Sequence, residues 1–212
     1  MIAGNGLRWI LTAVFAVPVT YGMWRACAPR TAAGDRVDQV FHVVAGALMI
    51  AMVWPWGTEL PTGPQFIVLV AGAAWFLGSA PLRATTGARV AASTAALPHV
   101  VMMAAMTWMV AVMGAAASGH AGGTHAHAGA HVPGVSGATL MRLADAGPRL
   151  TAVLLAVLLV AIGLRRLARA FERAPTVPHG ARAPAGGGEG ALAHACHAAM
   201  ALGMAEMFVL LV

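Results

Sequence analysis

The 212 residues are 59% hydrophobic and 9% charged, with a mean hydropathy of +0.77. A soluble domain carries about 25% charged residues, so this composition excludes one and reads as a polytopic membrane protein. The net charge of +6 comes from arginine alone. In a soluble chain that excess points to nucleic acid; here the arginines cluster between apolar runs, where they orient a chain in a bilayer. The expected partner is therefore the lipid bilayer and no nucleic acid.

Six apolar runs in chain order are read as helices, at 7–24, 39–54, 65–79, 93–117, 150–167 and 191–212. The class expected is all-α, a bundle of six transmembrane helices in one integral membrane domain over 1–212. A span needs about 20 residues, so the second and third runs must recruit their polar flanks. No positive charge precedes Arg8, so the first run lacks the basic start of a cleavable signal and is read as a retained span. Arginines crowd three connections: Arg25, Arg30 and Arg36; Arg83 and Arg89; and Arg165, Arg166, Arg169, Arg173 and Arg182. The stretch 55–64 has none, and the connection after the fourth helix has only Arg142 and Arg149. The positive-inside rule puts the Arg-rich connections in the cytoplasm and both termini outside, in the plasma (inner) membrane of the cell. Residues 114–137, rich in Gly, Ala and His, are expected as an external loop, and 174–190, with several Pro and Gly, as a cytoplasmic linker.

One spacing recurs on the second, fourth and sixth helices: a histidine followed by methionines seven and ten residues later. The sets are His42/Met49/Met52, His99/Met106/Met109 and His197/Met204/Met207. On a helix those offsets return to nearly one face. Met102, Met103 and Met113 extend the fourth helix and Met200 extends the sixth, whereas Ala45 stands in the corresponding place on the second. Methionine is commonly an adaptable core filler. Apart from Met1, however, ten of the twelve methionines lie on these alternate helices, a choice gap filling does not explain. Histidine inside a membrane is costly and by default functional. Thioether and imidazole ligands suit copper(I) and not hard cations.

Neighbouring residues fit the same chemistry. His194 and Cys196 adjoin His197 in a His-Ala-Cys-His run at the cytoplasmic mouth. Asp38, one turn before His42, is placed to hydrogen-bond that imidazole from outside the ligand set. His120, His125, His127 and His131 form an external tract of the kind that captures metal ions. Glu206 falls off the stripe and is not counted as a ligand.

The phrases Met52-Val-Trp-Pro-Trp56, His99 through Met109 and Cys196 through Met207 resemble an actinobacterial family of polytopic membrane proteins, the domain of unknown function DUF5134. The resemblance spans the whole membrane region and implies an integral membrane protein with no activity to transfer; Ala45 departs from its pattern. A more distant likeness, of chemistry alone, is to eukaryotic copper transporters with an M-x-x-x-M motif on one helix of each subunit, a spacing matched by Met102/Met106 and Met200/Met204.

The expected function is a copper(I)-binding membrane protein that conducts the ion passively or exchanges it with a copper donor or acceptor protein. Two other classes compete: a structural or assembly subunit of a larger membrane complex, such as a respiratory one, and a haem protein for electron transfer, since His/Met is a known axial pair. With no nucleophile–base pair and no phosphate-binding glycine loop, an enzyme is not expected.

Overall fold

The computed structural model describes residues 2–29, 31–121, 146–174 and 187–212. They form six α-helices: α1 Ile2–Cys27, α2 Ala33–Val53, α3 Thr62–Arg83, α4 Arg89–Ala121, α5 Ala146–Glu172 and α6 Gly187–Leu211. Two 3₁₀ turns, Pro55–Glu59 and Thr86–Ala88, link α2 to α3 and α3 to α4. All six helices are long and apolar enough to cross a membrane. Each exceeds its apolar run at one or both ends, because Ala-rich polar flanks continue the helix once backbone hydrogen bonding has begun. The expected loop therefore starts late, with 114–121 helical, and the last four residues of the expected linker open α6.

Pro18, Pro81 and Pro98 lie inside α1, α3 and α4. In water an interior proline costs a helix about 3 kcal/mol, but membrane helices tolerate it where neighbouring groups satisfy the freed carbonyl. Gly57 is dictated more strictly. A Cβ there would stand 1.8 Å from the Ala51 carbonyl oxygen, so only glycine lets the chain double back at the end of α2.

Packing divides the bundle into three hairpins, since the most extensive contacts are α1 with α2, α3 with α4 and α5 with α6. Within each hairpin the even-numbered helix lies deeper. Half of the most apolar stretch of α6 is buried, with 39% for α2 and 33% for α4, against 22% for each of α1, α3 and α5. The odd helices present Trp9, Ile10, Ile67, Leu77, Leu154 and Val157 outward, an apolar surface suited to lipid. Small residues bring helices close: a Cβ on Gly163 of α5 would stand 2.7 Å from Leu202 of α6. Polar clasps hold the remainder. Trp54 Nε1 donates to Thr12 Oγ1 at 3.1 Å, and its ring meets Trp9 edge-on, tying α2 to α1.

Candidate metal centre

The inner helices α2, α4 and α6 bring together the three histidines that share the repeated spacing. Each stands about two and a half to three turns into its helix, because the helices begin earlier than the apolar runs. The imidazoles of His42, His99 and His197 each offer a ligand nitrogen, and these nitrogens lie within 4.8 Å of one another. Their ring centroids are 4.7, 4.7 and 4.9 Å apart with interplanar angles of 84–87°, so each ring meets the next edge-on. Metal–nitrogen bonds of about 2.0–2.1 Å place tetrahedral or trigonal ligand nitrogens about 3.4 Å apart, so a modest contraction would close the triad around one ion.

The hydrogen bonds define one consistent set of tautomers. Nδ1–H of His42 donates to the Asp38 carbonyl at 2.7 Å, and Nδ1–H of His197 donates to the Ala193 carbonyl at 2.6 Å, each four residues back on its own helix. Both Nε2 lone pairs are thereby left for the cluster. His99 differs. The Arg166 guanidinium donates from Nη2 to its Nε2 at 3.2 Å, so the ring proton sits on Nδ1 and is donated to His42 Nε2 at 2.9 Å. All three rings are neutral in this arrangement, as metal ligation requires.

Asp38 hydrogen-bonds His42 through its backbone carbonyl, not through its carboxylate as expected from sequence. The carboxylate is engaged elsewhere: Trp75 Nε1 donates to Oδ1 at 2.7 Å, and Arg83 donates to both oxygens at 2.9 and 3.0 Å. A bidentate guanidinium outcompetes an imidazole for a carboxylate, and this pair joins the start of α2 to the end of α3. His194 also departs from the expected ligand set. Its ring lies between Arg166, 3.5 Å away, and Arg173, and it does not join the triad. Cys196 is buried but likewise stands outside the three-histidine group.

The methionines continue inward from the triad. Met49, Met106 and Met204 are at most 1% exposed, and Met52, Met102, Met103, Met109 and Met200 are buried in the same core, which Met113 and Met207 flank. Seven residues rise about 10 Å, and helical side chains lean toward the helix start, so the thioethers tilt back toward the histidines. Glu206 is exposed, as its place off the stripe predicted. Of the external tract, His125, His127 and His131 and the side chain of His120 lie outside the described residues.

Two residues of the site were missed from sequence. Phe76 of α3 stacks on His99 at 5.2 Å and meets His42 edge-on at 5.1 Å, walling the triad on that side. Arg166 had been counted only as an orienting charge. A signal for it exists: the buried residues of α5 are Ala152, Ala156, Leu159, Gly163 and Ala170, and Arg166 fills the missing place in that stripe.

Comparison with known families matches residues 34–211 to the model described as "Domain of unknown function (DUF5134)". No curated protein and no solved structure gives a significant match.

Proposed function

The chain belongs to the DUF5134 family, and from that premise we propose that it is a multi-pass membrane protein that binds copper(I) and passes it along the inner seam of its bundle. The observation that carries this reading is the convergence of His42, His99 and His197 from three helices at the foot of a buried methionine core. A layer of neutral imidazoles, borderline in softness, followed by soft thioethers and no carboxylate favours a soft monovalent ion. The excess of arginine at the histidine ends of α2, α4 and α6 supports a topology with those ends in the cytoplasm and both termini outside, in the plasma membrane. With no nucleotide-binding motif in the sequence, movement of the ion is passive or driven by a partner that donates or accepts it.

Contact among the three rings argues against the haem alternative. Axial ligands must flank a macrocycle, whereas these imidazoles touch one another and Phe76 closes one side. The test is metal analysis of the purified protein, with Ag(I) as a redox-inert stand-in for Cu(I). The wild-type chain is expected to hold the soft ion in whole-number stoichiometry with no Soret band, and His99→Ala combined with His197→Ala to lose it. Unchanged stoichiometry in that variant refutes the reading, and a metal-free wild type favours a structural subunit.

A further inference from the structure

Three imidazoles alone do not specify copper(I), since a three-histidine site is equally a zinc site. The discriminating group is Arg166, and we propose that it is the charge filter of the triad, setting preference for a monovalent over a divalent cation. This inference rests on the metal-site reading above.

The side chain reaches in from α5 and places Nη2 3.2 Å from His99 Nε2 and Nη1 3.5 Å from His194 Nδ1. Among the described residues no carboxylate lies within ion-pair distance of it, and the Asp35 and Asp38 carboxylates pair with Arg83 instead. Its charged neighbours are Arg165 and Arg169 on its own helix, with Arg173 one turn further on against the far side of His194. Among the described residues, the Arg166 charge beside the triad thus has no ion-pair partner.

An ion on His99 Nδ1 lies across the imidazole from the guanidinium on Nε2, which puts the two charges about 7 Å apart for a metal–nitrogen bond of about 2.0 Å. Coulomb repulsion at that range, in a medium of effective dielectric ~20, weakens binding of a unit charge by about 50-fold, and exposure of the mouth lowers this toward tenfold. Repulsion scales with ionic charge, so whatever factor a monovalent ion suffers is squared for a divalent one. A second effect adds to the first. By donating to Nε2, Arg166 holds the His99 proton on Nδ1, so any ion that takes Nδ1 must also displace this hydrogen bond. Only a cation with high intrinsic affinity for uncharged nitrogen and sulfur ligands overcomes both costs.

The experiment titrates full-length purified protein with Ag(I) and with Zn(II), comparing wild type, Arg166→Gln, Arg166→Lys and His99→Ala. Removing the charge in Arg166→Gln is expected to tighten both ions, and to shift the affinity ratio toward Zn(II) by about 10- to 50-fold. Arg166→Lys, which keeps the charge, is expected to retain a ratio near that of wild type. Should the Gln variant fail to fold, Arg166→Met keeps the packing of the stem and carries the same expectation. Equal tightening of the two ions, or an unchanged ratio, overturns the filter while leaving the site standing. Absence of binding that depends on His99 in every variant overturns the metal-site reading and the filter with it.

Discussion

The sharpest separation of ligation from packing comes from replacing Met106 and Met204 by leucine. Both are at most 1% exposed within a common core, so the side chains must be replaced without opening a cavity. Met and Leu are close in volume, and such swaps cost less than about 1.5 kcal/mol each. The double variant therefore loses less than about 3 kcal/mol from a total of roughly 5–15, and remains folded. Its interaction with metal is a different matter. An ion present at 100 times its dissociation constant stabilises the folded state by about 2.7 kcal/mol, and a tenfold weakening reduces that to about 1.4 kcal/mol. Outer partners of metal ligands commonly carry 10- to 100-fold in affinity, so loss of two thioether ligands should halve the Ag(I)-dependent stabilisation at least. The assay is thermal unfolding in detergent with and without Ag(I), referenced to each protein's own metal-free midpoint. An Ag(I)-induced shift equal to that of wild type would show that these methionines only pack, and would confine any site to the histidines.

Two further predictions concern the scaffold. Asp38→Asn removes the charge that receives three donors from Trp75 and Arg83, at 2.7, 2.9 and 3.0 Å. With the Arg83 side chain 37% and the Asp38 side chain 25% exposed, solvent screening limits the expected loss to about 2 kcal/mol, read as a lower unfolding midpoint; the backbone carbonyl that holds His42 remains, so metal stoichiometry should not change. Gly163→Val sets a branched side chain against Leu202, only 2.7 Å from the position of its Cβ, and is expected to destabilise by about 1–3 kcal/mol. Leu202→Ala in the same chain should recover part of that loss; no recovery would mean that the α5–α6 approach is not the source.

The parts of this architecture that depend on periodicity were readable in the sequence. The recurrent spacing placed His42, His99 and His197 each on the methionine-bearing face of its helix, and ten of the twelve methionines beyond Met1 marked α2, α4 and α6 as the helices that share a role. What escaped were contacts set by packing angle. The sequence near His42 shows a carboxylate one turn away, but only the approach of α3 delivers Arg83 and Trp75 to it, leaving the backbone to orient the imidazole. Phe76 reads as one more apolar residue until the packing of α3 against α4 lays it on His99. Arg166 was obscured by its neighbours, since a run of arginines at a helix end satisfies the orientation rule and hides the one member that turns inward. Helix ends were misjudged for a simpler reason: hydropathy marks where lipid-compatible residues stop, and the backbone ladder does not stop there.

The hairpin arrangement also orders the construction of the protein. Each outer helix binds most extensively the inner helix that follows it in sequence, so closing a pair bridges little chain and carries a small entropic cost. Pairs can therefore form one after another as the chain enters the bilayer, each apolar enough to wait in lipid. The interface among α2, α4 and α6 comes last. Until the α5–α6 pair docks, His42 and His99 lack their third partner and His99 lacks Arg166, so an incompletely inserted chain presents two imidazoles and no closed triad. On the proposed metal-site reading, binding would report on completion of the bundle, since only a chain whose final helix is in place brings all three imidazoles together.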